Sequence, residues 1–299
     1  MTSKKAFAFA PFGPWPKGMM NLARDTEVPR DALRDALNVD VQLDGTVVTR
    51  SSWVNLLEAS NCHSLYYHRP TDRAYGVIDG DVSELTETGF TSLTPVTRRL
   101  SWTDLNGAPI FATRSEVNII ENGFVRRFDD GSALDEQDVD DVLVPMPGGQ
   151  WIEHWNGRLV VARGTSLLFS EPLRQGAHNP MTGYAVLGAR IEWLAPLESG
   201  IFVGLPDRVL WFQGRTPSEA QLRVVAGESA PGMAVVVPSD LLGISESGEV
   251  AVFFTRSGFA VGYPDGTVAY PQSGLVGDLP LQRGKIVVLG SRLYAVQEN

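Results

Sequence analysis

The 299-residue chain is poor in the residue types on which covalent cross-links, metal centres and acid–base catalysis most often depend. A single cysteine, Cys62, excludes an intramolecular disulfide and any site built from several thiolates. There are only four histidines, and the chain has neither a G-x-S-x-G nucleophile elbow nor a G-x-x-x-x-G-K-[ST] phosphate loop. We therefore predict a protein that is not an enzyme, with no catalytic, cofactor-binding or metal-binding residues and with Cys62 as a small buried side chain.

Long apolar runs and an excess of positive charge are lacking too. No stretch approaches the roughly 20 apolar residues of a membrane helix, so we predict no membrane insertion. Three prolines interrupt the short apolar patch near the N-terminus, which argues against a secretory signal. The chain has 25 basic and 35 acidic residues and a net charge of −10. This balance argues against a grip on phosphate, although an acidic wall would let a DNA duplex slide past.

Turn residues and short β-rich runs are abundant along the whole chain. The 30 glycines and 19 prolines separate many short elements. Six segments share a β-rich run, a tight polar break and a second β-rich run, which is typical of a β-hairpin. The residues before the breaks align at equivalent positions: Tyr75, Phe111, Val161, Val203, Phe254 and Val288. Their spacing averages about 43 residues, close to the length of a four-stranded propeller blade.

The repeat predicts an all-β protein, a β-propeller of six or seven blades. A seventh hairpin pattern lies at residues 38–53, where Asp44 and Gly45 form a pair favoured in tight turns. Blades arranged in a ring bury each other's faces and leave only short edges, so the repeat is physically consistent with closure. A β-sandwich, or two small β-domains with hairpins at similar spacing, is the alternative.

One segment outside the repeat has a helical pattern. Residues 29–38 begin with a proline and place Leu33 and Leu37 four residues apart, which predicts a short amphipathic helix. A helix of two or three turns needs a surface on which to dock. We predict that residues 1–37 are an assembly arm ahead of a propeller at 38–299, with Leu33, Arg34 and Leu37 as candidate assembly residues.

Several side chains could in principle carry chemistry or bind a ligand. Four aspartates lie near hairpin breaks, where a propeller glycosidase would carry paired carboxylates, but they share no motif: Asp72, Asp104, Asp207 and Asp265. The acidic run at 129–141 lacks the ordered spacing of a Ca²⁺ loop and is interpreted as a solvated excursion. His154 is interpreted as a packed aromatic partner. Five tryptophans are assigned to blade packing, with a sugar platform as the alternative: Trp102, Trp151, Trp155, Trp193 and Trp211.

Two stretches resemble a family of tailed-phage virion proteins. The first, residues 18–53, is similar to the pattern G-I-N-N…P…A-L-R-D-A-x-N-V-D…G-x-V-x-x-R-x-G. Its matching residues are Gly18, Asn21, Pro29, Ala32, Leu33, Arg34, Asp35, Ala36, Asn38, Val39, Asp40, Gly45, Val47 and Arg50. Leu22 replaces the second asparagine of that pattern. The second stretch, residues 155–184, is similar to W-N-G-R-L-x-x-A-x-G-x-x-L-x-x-S-E-P, and its residues are expected to define blade geometry.

The resemblance implies a structural protein of the virion tail that is made in the host cytoplasm. Its expected role is that of a nozzle or adaptor: a homo-oligomeric ring, with six copies favoured, that lines the DNA exit path and contacts DNA passively. The expected partners are other tail, portal or adaptor proteins. The alternative function is a carbohydrate-binding or glycan-cleaving propeller at the receptor-facing tail tip. A cellular scaffold propeller is a third alternative.

Overall fold

The fold is all-β and is a β-propeller, seen in a computed structural model of the chain. The structure describes residues 39–41, 47–49, 59, 61–128, 143–214, 217–244, 248–271, 278–289 and 292–297. Within these ranges the only helical segments are two 3-10 turns, Arg69–Thr71 and Ser239–Leu242. No helix in the described ranges has the length and apolar character needed to cross a membrane. The predicted short helix and the arm at 1–37 lie outside the described residues.

Five antiparallel sheets of four or more strands form the blades, numbered along the chain. A separate hairpin precedes them and consists of β1 (Val39–Val41) and β2 (Val47–Thr49). Blade 1 contains β3 (Cys62–His68), β4 (Arg73–Ile78), β5 (Asp81–Thr86) and β6 (Gly89–Pro95). Blade 2 contains β7 (Ser101–Leu105), β8 (Ala108–Ala112), β9 (Val117–Glu121) and β10 (Phe124–Arg127). Blade 3 contains β11 (Val144–Pro145), β12 (Trp151–Trp155), β13 (Arg158–Arg163), β14 (Ser166–Glu171), β15 (Arg174–His178) and β16 (Tyr184–Val186).

Two further blades and a second hairpin complete the described chain. Blade 4 contains β17 (Trp193–Leu197), β18 (Gly200–Gly204), β19 (Val209–Gln213) and β20 (Gln221–Ala226). Blade 5 contains β21 (Ser229–Pro238), β22 (Glu249–Thr255), β23 (Gly258–Gly262) and β24 (Val268–Ala269). The last hairpin contains β25 (Gly284–Leu289) and β26 (Arg292–Gln297). One edge strand of each unit contacts that of the next unit, in the order β3, β7, β12, β17, β21 and β25, and these strands line the centre of the propeller, here called the bore.

The predicted count of six or seven blades differs from the five that the structure contains. The difference comes from the two terminal hairpin patterns, which resemble blades in sequence because each has two β-rich runs around a turn. In the structure, β1 pairs only with β2 and β25 pairs only with β26 among the described strands. A two-stranded sheet covers much less of a neighbouring blade than a four-stranded one, so these hairpins are not full blades.

The core lies between the blades rather than inside any one of them. Val77 of blade 1 and Phe111 of blade 2 belong to one apolar cluster. Phe169 of blade 3 and Phe212 of blade 4 stack with their ring centroids 5.3 Å apart. Because each sheet face is covered only by the next blade, apolar burial requires the ring of blades.

The aligned repeat positions lie, in each of the five blades, on the strand next to the bore-lining strand. Five of them are buried, and they lie on β4, β8, β13, β18 and β22: Tyr75, Phe111, Val161, Val203 and Phe254. The sixth position, Val288, lies on the first strand of the terminal hairpin, so its predicted equivalence is wrong.

Tight turns join the strands at fixed points and set their register. At the β12–β13 turn, Asn156 has φ 48° and Gly157 has φ 72°. Positive φ at both central residues is required by a type I′ turn, which matches the twist of the flanking strands. Three other Asp-Gly or Asn-Gly pairs have the same signs, at 79–80, 106–107 and 122–123.

Candidate functional site in the central bore

Hydroxyl side chains join the first strands of adjacent blades. The Leu100 amide donates a hydrogen bond to Ser64 Oγ at 2.8 Å, which links blade 2 to blade 1. The Ile152 and His154 amides of blade 3 donate to Ser101 Oγ at 3.0 Å and Thr103 Oγ1 at 3.1 Å in blade 2. These bonds satisfy edge amides that face no partner strand, and they hold the bore-lining strands in a defined register.

Five titratable side chains from four different units lie near one another around the bore. This bore cluster consists of Tyr66 on β3, Asp104 on β7, Glu153 and His154 on β12, and Lys285 on β25. Burial raises the pKa of Tyr66 most strongly, and the carboxyl groups of Asp104 and Glu153 raise it further. The charge of Asp104 favours a higher pKa for the His154 ring. Lys285 favours a lower pKa for Glu153, and Glu153 favours a higher pKa for Lys285.

Glu153 has the most strongly altered acid–base behaviour in this cluster. Burial raises the pKa of its carboxyl from 4.5 to about 8, and Lys285 and a hydrogen bond with Thr103 offset only part of that effect. Burial lowers the pKa of Lys285, which Glu153 partly offsets. The carboxyl of Glu153 is therefore mostly protonated at neutral pH, because an enclosed charge loses its hydration.

Lys285 and Glu153 both keep accessible surface, although protein atoms surround them closely enough to shift their pKa values. Lys285 is exposed by area and Glu153 is partly exposed, yet burial dominates the pKa shifts of both. We attribute this difference to their position, because a side chain that lines an internal opening keeps accessible area while protein surrounds it. Solvent contact at these side chains screens their charges, so electrostatic energies in the bore are reduced.

The two histidines of the bore-lining strands have different surroundings. His68 is fully buried, its Nε2 lies 2.7 Å from Asp104 Oδ2, and its Nδ1 lies 2.6 Å from Thr71 Oγ1. His154 has a buried Nε2 without a hydrogen-bond partner, and burial lowers the pKa of its ring. Both ring nitrogens of His68 thus have partners, whereas Nε2 of His154 has no hydrogen-bond partner among the described residues.

Three of the bore-lining strands approach one another closely near their first residues. A Cβ atom added to Gly232 of β21 would lie 2.8 Å from the Gly284 carbonyl oxygen and 3.3 Å from the Trp151 ring. Strands β12, β21 and β25 therefore approach closely there. A glycine is needed at position 232 both for this approach and for its φ of 76°.

The aspartates considered as a glycosidase pair lie on separate blades and have local partners. Asp72 accepts a hydrogen bond from Tyr67, and Asp207 pairs with Arg208. Asp265 accepts from the amide and hydroxyl of Thr267, at 2.8 and 2.6 Å. Only Asp104 belongs to the bore cluster.

The tryptophans serve in blade packing, as predicted. Trp102, Trp155, Trp193 and Trp211 are buried, and Trp151 packs partly buried against two apolar clusters. These positions leave no exposed platform among the five rings.

The prediction that Cys62 is buried is wrong, because the side chain is exposed at the start of β3. Its neighbour His63 places Nδ1 3.0 Å from Ser64 Oγ. The candidate assembly residues Leu33, Arg34 and Leu37 and the acidic run at 129–141 lie outside the described residues.

Sequence reasoning missed Tyr66, Glu153 and Lys285 as members of one site. A usable signal existed for Glu153, since W-I-E-H-W places two polar residues inside an otherwise apolar strand. Lys285 stands alone in an apolar run and gives no such signal. Within the described ranges, no group of three or more His, Cys, Asp or Glu side chains is arranged to hold a metal ion.

Comparisons with known proteins identify the fold. No family model matches the chain. No curated protein matches it either. Among solved structures, BBS1N in complex with ARL6DN is 12% identical over 87% of this chain and 83% of that chain, with a TM-score of 0.52.

Two bacterial structures are also similar. A gluconolactonase from Xanthomonas campestris is 11% identical over 80% of this chain and 84% of that chain, with a TM-score of 0.48. An extracellular domain from B. thetaiotaomicron is 10% identical over 75% of this chain, with a TM-score of 0.49, and this chain spans only 30% of that structure. The similarity to BBS1N, at 12% identity, shows the fold alone.

Proposed function

We propose that this protein is a structural component of a phage tail, a propeller whose copies form a ring around the DNA exit path. The proposal rests on the contacts that residues of the second phage-like stretch make in the structure. Their side chains and turns hold blade 3 together and attach it to blade 4. Residues that form a shared pattern among structural proteins are expected to maintain the fold, as these do.

The contacts of this stretch are specific. Trp155 Nε1 donates to the Leu197 carbonyl at 2.6 Å, and Asn156 Nδ2 donates to the Glu198 carbonyl at 2.9 Å. Both bonds connect blade 3 to the β17–β18 turn of blade 4. Arg158 Nη1 donates to the Ser170 carbonyl at 2.8 Å and so braces β13 against β14.

The first phage-like stretch supports the proposal through its hairpin. Val39 pairs with Thr49 and Val41 pairs with Val47, so Val39, Asp40 and Val47 of the pattern lie in two paired strands. The segment that precedes this hairpin, residues 1–37, is proposed to be the assembly arm, with Leu33, Arg34 and Leu37 in contact with a neighbouring tail protein or copy.

The proposed DNA path lies between copies rather than through the bore of one propeller. Bore-lining strands approach one another closely at Gly232, Gly284 and Trp151, and the side chains of the bore cluster lie on these and neighbouring strands. A wall made by a chain of net charge −10 repels phosphate, which favours sliding over gripping. Passive contact with DNA is therefore expected.

The test is the assembly state of the purified full chain, measured by mass photometry and electron microscopy. We expect closed rings, with six copies favoured. The matched variant lacks residues 1–30 and should give a folded propeller that forms no ring. Monomers of the full chain at every concentration, or rings that survive loss of the arm, would contradict the proposed assembly.

A binding experiment tests the passive contact with DNA. The isolated chain should not bind duplex DNA at physiological ionic strength, and lowering the salt should reveal no steep salt dependence, because few phosphates would be neutralised. Tight binding that weakens sharply with salt would contradict a passive channel and indicate a gripping role.

A further inference from the structure

Blade 1 has one face with apolar side chains that no other described blade covers. Tyr75, Val77 and Val82 lie on its opposite face and pack with side chains of blade 2. Because side chains alternate along a strand, the residues between them point away from blade 2. Cross-strand pairing places four such residues in one row through β3, β4, β5 and β6: Tyr67, Ala74, Leu85 and Phe90.

Leu65 widens this row into an apolar surface. A Cβ atom added to Gly76 would lie 2.7 Å from Leu65 Cδ2 and 3.5 Å from Leu85 Cδ1, so the two leucines are neighbours over that glycine. The open face of blade 1 therefore consists of Leu65 and the row of four residues.

The size of the open face suits a short peptide segment. Leu65, Tyr67 and Phe90 are 58%, 56% and 42% exposed, which leaves apolar surface on the order of 300 Å². A stable contact between two folded subunits buries about 800 Å² on each partner. The open face is smaller than that, so a second folded copy is a poor match for it.

The course of the chain indicates which segment is close to the open face. In the later blades, the strand before a bore-lining strand is an outer strand of the preceding blade, as with β6 before β7, β16 before β17 and β20 before β21. By the same course, the chain that leads into β3 is expected on the side of blade 1 that faces away from blade 2. This is the side of the open face.

The N-terminal segment, residues 1–24, has a composition that matches this surface. Residues 6–10 read Ala-Phe-Ala-Phe-Ala, so in an extended conformation Phe7 and Phe9 would project to the same side. The segment has four basic residues and no acidic one, whereas the whole chain has a net charge of −10. Its aromatic side chains suit an apolar face, and the acidic remainder of the chain attracts its positive charge.

We propose that the N-terminal segment docks on the open face of blade 1 in the same molecule, with Phe7 and Phe9 against the apolar row. Docking removes apolar surface of both partners from water. An attached segment has an effective concentration of the order of 1 mM, which favours it over the same segment of a separate copy in dilute solution. The inference goes beyond the proposed tail function and does not depend on it, because the candidate assembly residues at 33–37 lie outside this segment.

Photo-crosslinking of the full chain tests the contact directly. Cys62 is the only cysteine and is exposed, and its cross-strand partner Ile78 lies on the same face as Gly76, about 7 Å along β4. A benzophenone maleimide attached to Cys62 should therefore crosslink to residues 1–24 on irradiation, as identified by mass spectrometry of tryptic peptides. A mixture of unlabelled and isotopically labelled chains shows whether both crosslinked peptides come from one molecule.

Two substitutions on the open face test the contact without a chemical label. Leu65→Ser and Phe90→Ser should each speed tryptic cleavage after Lys17 about fivefold, because a weaker apolar contact leaves the segment undocked for more of the time. The matched control is Val224→Ser, which removes an apolar side chain that is 61% exposed on β20 of blade 4 and should leave the cleavage rate unchanged. Thermal melts confirm that each variant is folded.

The results that support docking differ from those that overturn it. Crosslinks from Cys62 to residues 1–24 within one molecule, with faster cleavage in both face variants but not in the control, support the docked segment. Crosslinks that never reach residues 1–24, or that form only between molecules, overturn it. Equal cleavage rates in the wild type and all variants also overturn it, because the open face then does not hold the segment. Ring formation is measured separately, so neither result bears on the proposed function.

Discussion

Glu153→Gln should change how the stability of the protein depends on pH. Glu153 has a pKa of about 8 in the fold against 4.5 in the absence of structure. A carboxyl that is protonated in the folded state and ionised in the unfolded state makes the free energy of unfolding fall as pH rises from 4.5 to 8. The full effect corresponds to roughly 5 kcal/mol, and the accessible surface in the bore reduces our expectation to about 2–3 kcal/mol.

The sign of the effect is specific. The stabilising contribution of the protonated carboxyl is complete below pH 4.5, is lost progressively up to about pH 8, and changes no further above that. Glutamine cannot ionise, so the variant should lose less stability than the wild type between pH 5 and pH 9.

Urea unfolding followed by circular dichroism at pH 5, 6, 7, 8 and 9 measures this difference. The control is Glu198→Gln, which removes an exposed carboxylate at the β17–β18 turn and should follow the wild-type curve. Parallel curves for the wild type and Glu153→Gln, within about 0.5 kcal/mol at every pH, would refute the assignment of Glu153 as an enclosed, protonated acid.

Three further substitutions test the blade architecture. Val203→Asp places a carboxylate at a fully buried position and should lower the free energy of unfolding by about 4 kcal/mol or more. A thermal melt should therefore show an unfolded or strongly destabilised protein, and wild-type stability would mean that the strand faces are misassigned. Trp155→Phe removes the bond to the Leu197 carbonyl and should cost about 2 kcal/mol in urea unfolding, whereas an unchanged midpoint would show that this blade contact is unimportant. Asn156→Ala forces alanine into positive φ and removes the bond to Glu198, so a loss of about 1–2 kcal/mol is expected, and a stabilised variant would contradict the type I′ turn.

The local features of the fold were predictable from sequence because each depends on a few neighbouring residues. Alternating apolar runs around Asn156-Gly157 specify a hairpin without reference to the rest of the chain. The buried positions of Val161 and Val203 follow from the repeat, since equivalent strands of a propeller face equivalent neighbours. The all-β class follows from the sum of such units.

The blade count was not predictable in the same way. Hairpin patterns at 38–53 and at the end of the chain look like the others, but whether a hairpin gains two more strands depends on segments outside it. Cys62 shows the same limit on a smaller scale: its residue type favours burial, but its place at the start of β3 leaves it exposed.

The chain by itself thus determined the strands, the turns and the need for a ring, because hydrophobic alternation and turn chemistry act over a few residues. Only the tertiary structure decided which polar side chains meet. Tyr66, Glu153 and Lys285 lie far apart in sequence and come together because the first strand of each unit lines one bore. Enclosure by several blades then alters their proton affinities, and no local pattern carries that information.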